Sequence, residues 1–77
     1  MLVEMYKLIG DFSTLFGVEY QVIVARFSSL KAAEEYLSAA SLENGFRKDS
    51  LLKDADHAWI EVEEVNLDIP VNPVLND

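Results

Sequence analysis

Residues 18–27, VEYQVIVARF, run directly into residues 28–45, SSLKAAEEYLSAASLENG, and the spacing of apolar residues changes at the junction. Val18, Tyr20, Val22 and Val24 alternate with Glu19 and Gln21, which is the two-residue period of a strand. Past Gln21 the second side turns apolar as well, with Ile23, Ala25 and Phe27. A strand that is apolar on both sides is covered on both sides, so this segment is expected to be the middle strand of its sheet. From Leu30 the spacing becomes three and four through Leu30, Ala33, Leu37 and Ala40, with Tyr36 alongside and Lys31, Glu34, Glu35 and Ser38 opposite. Ser28 or Ser29 supplies an N-cap and Asn44-Gly45 a left-handed stop, which predicts one helix of about 14 residues.

Toward the N-terminus, residues 2–9, LVEMYKLI, read as a strand interrupted by Glu4 and Lys7. Residues 10–17, GDFSTLFG, are bounded by glycines and space Phe12, Leu15 and Phe16 as i, i+3 and i+4. That pattern predicts a loop or single helical turn folding its aromatics onto the core as a lid. Toward the C-terminus, residues 46–55, FRKDSLLKDA, read as a connection holding a short helical turn capped by Asp49 or Ser50. Residues 57–65, HAWIEVEEV, alternate Ala58, Ile60 and Val62 against His57, Trp59, Glu61 and Glu63. Glu63-Glu64 disturbs the phase before Val65, Leu67, Ile69 and Val71 resume it, which predicts a bulge or strand end there. The two prolines of IPVNPVLND exclude a central strand.

These segments predict a small α+β two-layer sandwich in the order β-β-α-β, one helix packed on a three- to four-stranded mixed sheet. The strand at 18–27, the helix and the strand at 57–66 suit a right-handed parallel crossover, with the first strand as a hairpin partner. The expected domain is 1–69, followed by an extended or disordered tail at 70–77. At 77 residues, 51% of them hydrophobic, the chain holds one core. A core of this size rarely supplies more than about 3–5 kcal/mol, and no cysteine is present to staple it, so a homodimer is expected. The same lack of cysteine removes a thiol nucleophile and fits a reducing compartment, and the expected location is cytoplasmic. No apolar run approaches a membrane span, and the start MLVEMYKLIG carries Glu4 and lacks the basic region of a secretory leader, so the chain reads as a complete small protein from Met1.

Six bases against 14 acids give a net charge of -8, which argues against direct binding to nucleic acid or to an anionic membrane. The charge is polarised. Residues 1–53 hold all six bases and seven acids, while residues 54–77 hold the other seven acids and no base.

Catalytic chemistry has little to work with. His57 is the lone histidine, no serine sits in a nucleophile elbow, and three isolated glycines make no phosphate loop. Asp54, Asp56, His57 and Glu61 gather cation-binding side chains, yet their spacing matches no established metal loop. No cofactor and no metal site are expected. Recognition suits the last strand better, because residues two apart project from one face about 6.7 Å apart. Glu61 and Glu63 then form a row of carboxylates extended by Trp59 and His57, with Asp54, Asp56 and Glu64 close in sequence. Trp59 is also expected to pack with Ile23, Phe27 and Met5 on the face the helix leaves open, a face too apolar to stay wet.

The expected function is therefore that of a non-enzymatic acidic interaction protein. Its site would be Asp54, Asp56, His57, Trp59, Glu61, Glu63 and Glu64, meeting a basic surface on a larger protein. The partner class is a nucleic-acid-binding enzyme or complex, and an inhibitor or accessory factor of a phage or mobile element would fit this size. The alternative is an oligomer that binds an anionic, nucleotide-like small ligand through Arg26, Arg47, Lys48 and Tyr20.

Overall fold

Leu8, Ile9 and Gly10 are consecutive buried residues, and a strand buried on both sides lies inside its sheet. They belong to β1 (Leu2–Ser13), which pairs with β2 (Glu19–Phe27) on one side and β5 (His57–Asn66) on the other. The computed structural model describes residues 1–66, which also form α1 (Leu30–Ala40) and a small hairpin of β3 (Ser41–Leu42) and β4 (Gly45–Phe46). The expected tail at 70–77, and the resumed alternation from Leu67, lie outside the described residues. The α+β two-layer architecture is as the sequence predicts, but two of its details differ. The middle strand is β1 rather than 18–27, and both ladders are antiparallel. β2 and β5 thus run in the same direction without pairing, and α1 crosses over β1 to link them.

A bulge explains why β2 looks apolar on both sides. Leu8 lies opposite Ala25 while Ile9 lies opposite Ile23, so Val24 is the extra residue and the alternation changes phase there. Tyr20 and Val22 before the bulge share the helix side of the sheet with Ala25 and Phe27 after it, whereas Ile23 and Arg26 face the open side. Phe27 is therefore not on the open face. Its ring lies 5.8 Å from that of Tyr36 on α1. No bulge occurs at Glu63-Glu64, where β5 keeps register with β1 from His57 to Asn66.

The helix is shorter than its sequence pattern. Ser29 caps its start, accepting from the Ala32 amide at 3.1 Å. At the other end Ser41 turns extended and its hydroxyl donates to the Leu37 carbonyl at 2.7 Å. Asn44-Gly45 then serves the β3–β4 turn, where Gly45 takes φ +149°. Ala33 and Ala40 let the helix lie close on the sheet, and Leu30 stays exposed. The core beneath is Leu8, Ala40, Leu52 and Ala55, with Phe12, Leu37, Phe46 and Ile60 packed around it.

Leu52 is fully buried although it comes from an irregular segment. Successive turns at 47–55 hold it, through amide bonds from Ser50 to the Arg47 carbonyl, Lys53 to Ser50 and Ala55 to Leu52. The Tyr36 hydroxyl accepts from the Leu51 amide at 2.9 Å and ties this segment to α1.

The expected lid at 10–17 does not form. β1 continues to Ser13, and Thr14 to Val18 close a hairpin in which the Thr14 hydroxyl accepts from the amides of Phe16 and Val18. Gly17 supplies the positive φ of +82°. Phe12 alone reaches the core, while Leu15 and Phe16 stand in solvent at the tip.

Candidate functional site

The faces of β5 are as its alternation predicts. Ala58, Ile60 and Val62 pair with Gly10, Leu8 and Tyr6 on the helix side, and His57, Trp59, Glu61 and Glu63 pair with Asp11, Ile9, Lys7 and Met5 on the open side. The row of carboxylates exists, but it is already engaged. Glu61 accepts from Trp59 Nε1 at 2.8 Å and lies 3.9 Å from Lys7 Nζ. Glu63 accepts from Arg26 Nε at 3.1 Å, across the width of β1. These bonds neutralise the row from within the chain.

The open face is also drier than its composition suggests. Ile23, Ile9 and Trp59 form one rung across the three strands, and Ile9 is only 6% exposed although no second layer covers this face among the described residues. On one side of the rung Arg26, Lys7 and Glu61 lie abreast, and on the other Gln21, Asp11 and His57. Trp59 is half-buried in this setting.

Asp54 and Asp56 stand apart from that row. With Glu43 of the β3–β4 turn they line an open recess of about 560 Å³, against Phe46 and a single base, Lys48. Asp54 has φ +67°, a left-handed conformation that aspartate tolerates better than most residues. Asp56 is anchored by its own amide to the Asp11 carbonyl at 2.7 Å and by its carboxylate, which accepts from the Ser13 hydroxyl at 2.8 Å. Glu43 was not among the residues singled out from sequence. Only the fold of the β3–β4 turn brings it to Asp54, and nothing in its own neighbourhood of the chain signals that.

Glu64 lies on the helix side, directly opposite Glu4, and among the described residues no base pairs with either. Two carboxylates facing each other across a ladder repel.

The four residues of the small-ligand reading are dispersed. Arg26 is on the open face with Glu63, and Tyr20 stacks on Phe12 at 5.7 Å on the helix side of the hairpin. Arg47 is held by Asp49 in a two-bond fork at 3.0 and 3.1 Å, and Lys48 lines the recess. That fork and the attraction of the two charges hold the Asp49 carboxyl below its ordinary value and raise the Arg47 guanidinium. Among the described residues no three His, Asp or Glu side chains converge closely enough to hold a metal ion, and no helix is long and apolar enough to cross a membrane.

No protein-family model, no curated protein and no solved structure matches the chain.

Proposed function

We propose that this is a non-enzymatic acidic interaction protein of the cytoplasm that binds and blocks a basic surface on a larger protein. One observation carries the choice of site. Glu43, Asp54 and Asp56 line one recess together with a single base, Lys48, whereas Glu61 and Glu63 are neutralised by Lys7 and Arg26. A partner's arginine or lysine entering the recess gains charge-assisted hydrogen bonds to carboxylates that the fold leaves short of cations. Phe46 offers an apolar wall for the stem of such a side chain.

Surfaces that bind nucleic acids present arginine and lysine to phosphates, so a cluster of carboxylates held on loops can occupy the same groups. The net charge of -8 favours encounter with a basic partner before contact forms. His57 follows Asp56 directly, so the footprint extends from the recess onto His57 and Trp59 at the edge of the open face.

The test is capture from a lysate of the source cell, or of its host, on the immobilised chain at low and high salt. The expected result is retention of a basic, nucleic-acid-binding protein that high salt releases. Retention of nothing, or retention indifferent to salt, overturns the reading.

A further inference from the structure

The hairpin formed by the end of β1 and the start of β2 extends past the rest of the sheet. The β1–β5 ladder ends at Asp11 and His57, so Phe12 and Ser13 pair only with Tyr20 and Glu19. A two-stranded arm of this kind is marginal alone in water. It is also apolar along one side. Tyr20 and Val22 lie on the helix side with Val18 two residues before Tyr20, and Val18, Tyr20 and Val22 are 61%, 48% and 39% exposed. Phe16 at the tip is 95% exposed, with Leu15 beside it.

Among the described residues β2 is moreover an edge strand, with no strand paired to its outer side. Proteins ordinarily blunt such edges with lysines, prolines or short length. This one is nine residues long with Glu19 and Arg26 as its charges, and neither falls on the exposed apolar row.

We infer that the β2 edge pairs antiparallel with the β2 edge of a second copy of this chain, around a two-fold axis near Tyr20. Three features select a second copy over another occupant. Residues 12–25 carry one charge, Glu19, in a chain with six bases and 14 acids, so two molecules of net charge -8 approach with least repulsion here. A basic partner finds a single carboxylate to meet on this arm. The edge is also self-complementary, as a two-fold interface requires. With Tyr20 opposite Tyr20, Val18 meets Val22 of the second copy on the helix side, and Glu19 meets Gln21 on the open side, so no like charges face each other. The two sheets then join into one of six strands, and the two marginal arms support each other. This inference is independent of the recess, which the pairing leaves open.

Sedimentation of the whole chain across micromolar concentrations, together with a Tyr20→Cys variant, tests it. The chain has no cysteine of its own, so any disulfide reports on the introduced position. Opposed residues of an antiparallel pair lie about 4.5–5.5 Å apart at Cα, within disulfide reach. The expected mass is twice the 8.7 kDa of one chain, and Tyr20→Cys cross-links under mild oxidation while Val62→Cys, exposed on β5, does not. Because Tyr20 stacks on Phe12, a second variant guards against misfolding. Phe16→Lys with Val18→Lys alters only exposed positions, and should yield a monomer with unchanged far-UV circular dichroism. A monomeric wild type overturns the inference and assigns the arm to a different protein. A dimer that survives Phe16→Lys with Val18→Lys, or cross-links equally through Val62→Cys, places the interface elsewhere and also overturns it.

Discussion

The Arg26 guanidinium on one edge strand reaches over the central strand to the Glu63 carboxylate on the other, with Nε 3.1 Å from Oε2. The bond runs diagonally, since Arg26 lies opposite Lys7 while Glu63 lies opposite Met5. It closes the open face with charge satisfied inside the chain, and it turns the most conspicuous acidic row of the sequence into part of the sheet's own structure. The proposed site therefore rests on the loop carboxylates Glu43, Asp54 and Asp56 rather than on this row.

Glu63→Gln removes the charge of this pair while keeping an oxygen that can accept from Arg26, so it isolates the ionic part of the interaction. Both side chains are partly in solvent, so the loss of stability is expected to stay within about 1 kcal/mol. Thermal unfolding at low and high salt checks it, because the gap between wild type and variant should shrink as salt screens the pair.

Gly10→Val tests the closest approach in the core. A Cβ at Gly10 meets the Phe12 ring at 2.7 Å and Leu52 Cδ2 at 3.3 Å, so the ring must move from the place where it stacks on Tyr20. The expected cost is about 1–3 kcal/mol. At about 4–8 °C per kcal/mol for a domain of this size, the fall in Tm is easily read by circular dichroism.

Leu52→Ala is expected to cost about 2–5 kcal/mol, comparable with the whole stability of so small a domain. Leu51→Ala, one residue away and exposed, is expected to change stability by less than about 0.5 kcal/mol. Chemical unfolding of the two variants side by side checks whether the irregular segment belongs to the core.

The Asp49 carboxyl, held by Arg47, should titrate below the ordinary aspartate value of 3.8. Its folded pKa is depressed, so its contribution to stability is fully present above the unfolded pKa and is lost as pH falls through the folded one. Titration of the side-chain carboxyl by NMR checks this, and Arg47→Ala should return Asp49 toward its ordinary value.

Particular residues show how much of this was legible beforehand. The faces of β5 could be read because Ala58, Ile60 and Val62 alternate strictly with polar or aromatic residues. The helix could be read because Ser29 and the alanines satisfy cap and stripe together. The phase change in β2 was hidden, since Val22, Ile23, Val24 and Ala25 are all apolar and any register suits four such residues in a row. That ambiguity made β2 resemble the central strand and sent Phe27 to the wrong face. The hairpin at 13–18 was hidden for another reason. The Phe12, Leu15 and Phe16 spacing suits a helical turn, while Thr14 and Gly17 satisfy a tight β-turn that exposes two large apolar residues. As for the site, Asp54 and Asp56 were visible as acids in sequence, but the bonds that occupy Glu61 and Glu63 come from Lys7 and Arg26, far away along the chain.

The most direct test of the proposed function compares two double variants in the lysate capture. Glu43→Gln with Asp54→Asn removes two of the three carboxylates that line the recess, and Glu61→Gln with Glu63→Gln removes the two carboxylates of the row on the open face. Each pair removes two charges, so overall charge is matched. The account predicts that the recess variant loses the salt-sensitive basic partner while the open-face variant retains it. Loss with the open-face variant and retention with the recess variant contradict it.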